Sequence, residues 1–168
     1  MRRLSLLWLA ALLLAIPASA QTKLSGKVQC QKADPQYSID VGDKPGHAMT
    51  MAKQTCTEDW KIADLAVKSG QDVATGEMNG ATGRDNGYHT ATMENGDKYV
   101  VHFGGTITGA KDGSATFEGK WSFVSGTGKL KGIKGGGTYK GAGKVDGTGE
   151  VTVEGDYTLP APAAPKKK

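Results

Sequence analysis

The sequence predicts an all-β fold, most simply a small closed antiparallel barrel. Apolar and polar residues largely alternate between Tyr88 and Leu159, which places successive side chains on opposite faces of half-buried strands. Turn signals recur about every ten residues, a spacing typical of sandwiches and barrels. Glycine is concentrated between residues 104 and 155, and long strands that coil into a closed barrel need such points of sharp bending.

Three turns of one design connect strands in this C-terminal half. They are Glu94-Asn95-Gly96, Lys111-Asp112-Gly113 and Val145-Asp146-Gly147. An x-Asn/Asp-Gly tripeptide suits a three-residue hairpin loop, a type I turn closed by a glycine in the left-handed region. Each loop of this kind sets the register of its two strands, and the register decides which side chains face inward.

The first hairpin has two alternative registers. A three-residue loop at 94–96 sets His89 opposite Val101 and Tyr88 opposite His102, whereas a two-residue turn sets His89 opposite His102. The first register gathers the apolar residues on one face and is preferred. That face then carries His89, Ala91, Met93, Tyr99, Val101 and Phe103.

The same rule applies to the other two hairpins. The loop at 111–113 places Phe117 opposite Ile107, Trp121 opposite Phe103, and Phe123 opposite Val101; the loop at 145–147 places Tyr139 opposite Val153. The first two turns together predict one aromatic interior. Its members are Tyr99, Phe103, Phe117, Trp121 and Phe123, with His89 beside them.

The N-terminal half gives weaker patterns. Strands are predicted at LSGKVQCQK (24–32) and HAMTMAKQTC (47–56). The segment EDWKIADLAVKSG (58–70) fits a helical face and a strand face equally, and we interpret it as strand because Gly and Asx turn signals bracket it. Asn79-Gly80 and Asn86-Gly87 are further turn signals.

Both ends of the chain differ from the predicted domain. Residues 1–20 have the basic start, apolar stretch and small-x-small ending of a secretory signal peptide, with cleavage after Ala20. The apolar stretch, 4–16, is shorter than the roughly 20 residues of a membrane-spanning helix, so no transmembrane segment is predicted in the mature chain. Residues 21–159 are the predicted barrel domain, and 160–168 are a disordered Pro/Ala/Lys tail with a basic tip. The protein is therefore predicted to be secreted or periplasmic.

The net charge of +4 resides in these ends. Without the two N-terminal arginines and the three C-terminal lysines, the chain has 16 basic and 17 acidic residues. A near-neutral domain lacks the basic surface that nucleic-acid binding requires, so no nucleic-acid partner is predicted.

The two cysteines, Cys30 and Cys56, predict a structural disulfide. An even number of cysteines in an oxidising compartment favours pairing. A redox role is disfavoured because the sequence has no C-x-x-C pair.

The predicted ligand-binding residues are those of the interior: His89, Tyr99, Phe103, Trp121 and Phe123. His89 could act as an acid or base in an apolar pocket, or could be a structural histidine bonded to a neighbouring polar group. The pair Arg84-Asp85 could stand at the pocket mouth or be a solvated loop contact. No catalytic set can be named, because the sequence has neither G-x-S-x-G nor H-E-x-x-H.

No metal or cofactor site is predicted. His47, His89 and His102 lack the i,i+2 or i,i+4 spacing of metal ligands. The glycine-rich segment 126–144 also fails the dinucleotide and phosphate-loop patterns, since Lys131 and Thr138 stand where those motifs need glycine.

The segment WSFVSGTGKLKGIKGGGTY (121–139) resembles the allene oxide cyclase and dirigent superfamily, in which G-G-T-G-x-aromatic-x-G-x-x-G links two barrel strands. Gly126, Thr127, Gly128, Gly132 and Gly135 match that pattern, while Ser125 replaces the first glycine and Leu130 the aromatic residue. The chain is more similar still to a group of small exported bacterial proteins of unassigned role, on the segment RDNGYHTATMENGDK (84–98).

The resemblance implies a barrel of about eight antiparallel strands, a trimeric assembly and a pocket along the barrel axis. The plant families use that pocket, without a cofactor, to bind a hydrophobic or phenolic reactant and steer its cyclisation or coupling. Their catalytic residues match no positions here, and a shared fold does not establish a shared function.

Three functional hypotheses follow. The favoured one is a non-enzymatic exported barrel that binds a small apolar or aromatic ligand or has a structural role in the cell envelope. The second is a cofactor-free isomerase or cyclase with His89 and Tyr99 as proton-transfer or orienting groups. The third is a homo-oligomeric surface module with a broad apolar patch outside the barrel.

Overall fold

The computed structural model describes residues 21–161 and has the predicted all-β fold. The predicted signal peptide and residues 162–168 of the predicted tail lie outside the described residues. The described part contains ten strands: β1 (Thr22–Cys30), β2 (Gln36–Asp40), β3 (His47–Glu58), β4 (Lys61–Ile62), β5 (Leu65–Asn79), β6 (Thr82–Met93), β7 (Lys98–Gly109), β8 (Ala115–Gly126), β9 (Lys134–Gly143) and β10 (Gly149–Thr158). Its one helical segment is the 3-10 turn Gly128–Leu130.

Eight of the described strands form a closed antiparallel barrel in the order β1-β10-β9-β8-β7-β6-β5-β3. Closure depends on β3, which pairs with β5 over most of its length and with β1 through its last three residues. The remaining strands are additions: β2 continues along β3 beyond the end of β1, and β4 forms a short hairpin with β5. The predicted number of barrel strands is confirmed.

The hairpin registers predicted from the sequence are confirmed. His89 pairs with Val101 and Tyr88 with His102, Trp121 pairs with Phe103, and Tyr139 pairs with Val153. Each loop has the predicted three residues. Gly96, Gly113 and Gly147 adopt φ values of 87°, 89° and 86°, the left-handed conformation that such a loop needs. The ambiguous segment 58–70 is extended, as β4, a two-residue turn and the start of β5.

The turn predicted at Asn86-Gly87 is wrong. Both residues lie in the middle of β6, paired with Gly104 and Phe103 of β7. Gly87 serves close packing there: a Cβ at this position would lie 2.6 Å from the Val73 carbonyl oxygen and 2.7 Å from the Phe103 ring. The glycine thus marks a close approach inside a long strand and not a reversal of the chain.

The barrel has one closed end. Ile62 from the β4 turn, Met93 at the end of β6, and Leu130 and Ile133 from the β8–β9 connection are fully buried there. The opposite end carries the β7–β8 and β9–β10 loops, and we call it the open end. No helix within residues 21–161 is long and apolar enough to cross a membrane.

The predicted disulfide between Cys30 and Cys56 is present. The two residues are direct partners in the β1–β3 pairing, the three-residue seam that closes the barrel. The bond therefore holds the shortest pairing in the closure. For cysteines 26 positions apart in the sequence, the loss of unfolded-chain entropy stabilises a fold by about 3–4 kcal/mol.

Candidate functional site

The interior of the barrel contains a cavity of about 420 Å³. It extends from the loops of the open end, where Gly113 and Lys144 lie on its wall, inward to His89 and Tyr99. Most of the wall is apolar, and its apolar side chains include Val101, Phe103, Ile107, Phe117, Trp121 and Val153. This volume lies in the range of about 300–1,000 Å³ that small-molecule sites occupy.

Toward the closed end of the cavity, His89 lies between two carboxylates. Its Nδ1 is 2.5 Å from Oδ1 of Asp72, and its Nε2 is 2.8 Å from Oε1 of Glu58. Because a carboxylate only accepts hydrogen bonds, both ring nitrogens donate and the ring is an imidazolium. Burial alone would lower the pKa of His89, but its hydrogen bonds to Asp72 and Glu58 outweigh that cost and raise the pKa to about 10.

The network continues through Glu58, whose side chain is completely buried. The Tyr99 hydroxyl donates to Oε2 of Glu58 at 2.6 Å, and the Trp60 indole N–H donates to the Tyr99 oxygen at 3.3 Å. Burial, followed by the charge of Glu58, raises the pKa of Tyr99 well above its usual value. Tyr99 therefore stays neutral and keeps donating to Glu58.

Strand pairing explains how these residues meet. Asp72 of β5 is the direct cross-strand partner of His89 on β6, so both side chains point inward at one level. Glu58 is the last residue of β3 and pairs with Val28 in the seam with β1. Gly70 on β5 leaves the space they occupy, because a Cβ there would overlap Oε1 of Glu58 and lie 2.7 Å from Cε1 of His89.

A second polar contact runs along the inner wall of the barrel nearer the open end. The Tyr139 hydroxyl on β9 lies 3.0 Å and 2.9 Å from the two carboxylate oxygens of Asp85 on β6. Strands β7 and β8 lie between them, and the ring passes over Gly105 and Gly119, where a Cβ would lie 2.6 Å from the Tyr139 ring or hydroxyl. Two glycines on adjacent strands therefore permit this bridge.

The Asp85 and Tyr139 pKa values are both raised. Burial raises the pKa of Asp85, and the hydrogen bond from Tyr139 and the backbone N–H groups of Asp85 and Gly105 oppose that shift. Burial, the hydrogen bond to Asp85 and the charges of Asp85 and Asp72 raise the pKa of Tyr139 far above its usual value. Tyr139 is therefore a neutral donor.

Of the five residues predicted to bind a ligand, His89, Tyr99, Phe103 and Trp121 line the cavity. Phe123 points inward but lies behind that wall. It packs edge-to-face against Trp121 and Tyr99 at ring separations of 5.3 Å and 5.5 Å, and is not among the described residues that line the cavity. Its role is to support the two rings that do.

The predicted charged pair Arg84-Asp85 divides between the two faces of β6. Asp85 faces the cavity, whereas Arg84 is exposed on the outside, as adjacent residues of a strand must be. The other two histidines are also remote from His89: His47 contacts Asp43 and Glu77, and His102 contacts Asn86.

Glu58, Trp60, Asp72 and Tyr139 belong to the site but are not among the residues predicted from the sequence. The counting rule used for the other hairpins does not find Asp72, because a three-residue loop at 78–80 would set it opposite Asn86. The structure instead has a two-residue turn at 80–81, with Asn79 paired to Thr82, and this register sets Asp72 opposite His89.

Within the described chain, one group of potential metal-ligand atoms lies within 4.8 Å of one another: Cys30, Cys56 and Asp72. The two sulfurs are bonded to each other and so carry no thiolate, the form of cysteine that ligates a metal. This cluster does not provide a metal site in the oxidised protein.

Comparison with known proteins adds little to this geometry. No protein-family model matches the chain, and no curated protein matches it. Among solved structures, it is similar to the pterocarpan synthase dirigent protein PsPTS1, with 12% identity over 85% of this chain and 97% of the other, and a TM-score of 0.49. A likeness this distant says nothing about ligand or reaction.

Proposed function

We propose that this protein is an exported, non-enzymatic barrel that binds one compact, mainly apolar or aromatic small molecule. The observation that carries the proposal is the cavity of about 420 Å³ with apolar and aromatic walls and a few polar groups facing into it. Such an arrangement is typical of small-molecule sites, where apolar area supplies affinity and a few polar groups fix orientation. In this proposal Phe103 and Trp121 contact the ligand directly.

The alternative function is a cofactor-free isomerase or cyclase that uses His89 and Tyr99 for proton transfer. A general acid or base works best when its pKa lies near the working pH and its proton can reach the substrate. The pKa of His89 is about 10 and both ring nitrogens are occupied by carboxylates. The Tyr99 hydroxyl already donates to Glu58. These contacts favour binding over catalysis.

Export is part of the proposal. It is supported by the signal-like residues 1–20 and by the Cys30–Cys56 disulfide, a bond that persists in oxidising compartments. Homo-oligomerisation also stays a prediction. The surface available for it is an apolar row outside the barrel, where Tyr37 and Ile39 of β2 pair with Met51 and Met49 of β3 and all four are exposed.

Binding is tested by titrating the purified protein with the neutral apolar dye N-phenyl-1-naphthylamine, whose fluorescence rises in apolar surroundings. Ala74 lines the cavity, so Ala74→Phe should fill part of it and weaken dye binding about tenfold or more. Ala81→Phe adds the same ring at an exposed turn and should bind like the unmodified chain. Native mass spectrometry of the same preparation should reveal a co-purifying small molecule and the number of subunits.

Two results would overturn the proposal. Absence of saturable dye binding together with absence of any co-purifying molecule would show that the cavity takes no ligand. Equal dye binding by Ala74→Phe and Ala81→Phe would place the binding outside the cavity.

A further inference from the structure

We infer that the ligand carries a positive charge, an ammonium group on an apolar or aromatic body, and that Asp85 receives this group. The inference rests on the proposed function, namely that the cavity binds a small molecule, and adds the chemical class of that molecule. Three features carry it: the balance of charge around the cavity, the free acceptor capacity of Asp85, and the aromatic rings of the cavity wall.

The charge around the cavity is unbalanced. Three carboxylates, Glu58, Asp72 and Asp85, lie in or directly behind its wall. Among the described side chains that line it, His89 is the cation in the interior, and it is shared between Glu58 and Asp72. The other lining cation, Lys144, is exposed at the open end, where it acts on Asp146 and Glu150. The interior therefore has an excess of negative charge.

Of these three carboxylates, Asp85 is the one that has no cationic partner among the described residues. Its side-chain contact is with Tyr139, whose single hydroxyl proton is shared between the two carboxylate oxygens. Backbone N–H groups of Asp85 and Gly105 also act on the carboxylate. A carboxylate can accept about four hydrogen bonds, so acceptor capacity remains on the cavity side. A half-buried carboxylate without a cation is costly, and an ammonium group placed beside it would offset that cost.

The aromatic rings in the cavity wall favour the same ligand group. Phe103 lies edge-to-face with Tyr139 at a ring separation of 6.0 Å, and Phe103, Trp121 and Tyr139 all line the cavity. Aromatic faces attract a cation within about 6 Å of the ring centre. A cavity that combines a carboxylate with aromatic walls binds an ammonium group through both its charge and its N–H donors.

Other ligand classes fit less well. An anion would approach three carboxylates, and like charges at short range oppose binding. A neutral alcohol could donate one hydrogen bond to Asp85 but would leave the excess charge uncompensated. A protonated amine satisfies both requirements.

The test uses three probes that differ in one terminal group: 4-phenylbutylamine, 4-phenylbutan-1-ol and 4-phenylbutanoate, compared by isothermal titration calorimetry at neutral pH. The amine should bind at least about tenfold more tightly than the alcohol, and the acid more weakly than both. In Asp85→Asn, the ratio of amine to alcohol affinity should fall about tenfold. The Asn side chain still accepts the Tyr139 hydroxyl, so the fold should survive. Asp40→Asn, on the exposed strand β2, should leave the ratio unchanged.

The outcomes separate the two proposals. If the alcohol or the acid binds as tightly as the amine, the cavity binds small molecules and the charge inference is overturned alone. An amine preference that persists in Asp85→Asn also overturns the role of Asp85. If none of the three probes nor the neutral dye binds, the proposed function fails and this inference fails with it.

Discussion

Replacing His89 with leucine should lower the free energy of unfolding by about 3–5 kcal/mol, because the change leaves two carboxylates unpaired inside the barrel. Glu58 has no exposed side-chain surface and Asp72 is mostly buried. Leucine has about the right size for the space but no donor for either carboxylate. Denaturant titration of the purified protein at neutral pH measures the effect.

His102→Leu is the matched control. His102 lies on the neighbouring strand and faces outward, where it contacts the Tyr88 ring at 5.1 Å and Asn86 at 3.2 Å. An outward substitution of this kind should cost about 1 kcal/mol or less. If His89→Leu is no more destabilising than His102→Leu, the buried ion network does not stabilise the fold.

The stabilisation that His89 contributes, measured against His89→Leu, should also depend on pH. The pKa of His89 is about 10 in the folded protein and about 6.5 in an unfolded chain. Below pH 6.5 both states hold the proton and the stabilisation is complete. Between about pH 6.5 and 10 the folded state holds one proton more, so stability falls by up to about 1.4 kcal/mol per pH unit and the contribution is lost above pH 10.

The observable is the difference between the unmodified chain and His89→Leu, measured from pH 6 to pH 9.5. Other groups are shared by both chains, including the partly buried His47, whose pKa is raised by hydrogen bonds to Asp43 and Glu77. The difference should therefore shrink as the pH rises. Parallel stability curves would show that His89 is not held as a cation between its carboxylates.

The sequence predicts the hairpin registers well because both determinants are local. A three-residue loop with a left-handed glycine fixes which residues pair, and the period of two then assigns every side chain to a face. For the three predicted hairpins, counting residues outward from the loop gives the wrong partner only where a strand departs from regular pairing. A bulge between Val100 and Val101 shifts the register, so Tyr99 pairs with Gly126 and not with Ser125.

The ion network could not be predicted in the same way. Glu58 reaches His89 because β3 pairs with β5 across the β4 turn and with β1 at its last residues, and neither pairing follows from a short loop. The Tyr139–Asp85 contact spans two intervening strands and depends on the absence of side chains at Gly105 and Gly119. Such contacts are set by barrel curvature and closure, which emerge only when all strands are in place.

Replacing Trp121 with alanine should lower the free energy of unfolding by about 3–5 kcal/mol, the usual cost of deleting a large buried ring. The ring is buried, contacts Phe123 edge-to-face, and covers Gly155, where a Cβ would lie 2.7 Å from Cζ2 of the indole. Its N–H also donates to the carbonyls of Thr138 and Glu154 at 3.2 Å and 3.3 Å. Denaturant titration measures the loss.

Two variants separate the causes of this loss. Trp121→Phe keeps most of the ring and removes the N–H donor, so it should cost only about 1–3 kcal/mol. Val124→Ala changes an exposed residue of the same strand and should cost about 0.5 kcal/mol or less. The ring and its donor can stabilise the barrel only if the indole packs inside it, against β9 and β10. A loss below about 1 kcal/mol for Trp121→Ala, well under the range for a core deletion, would therefore contradict the inward aromatic wall on which the proposed ligand site depends.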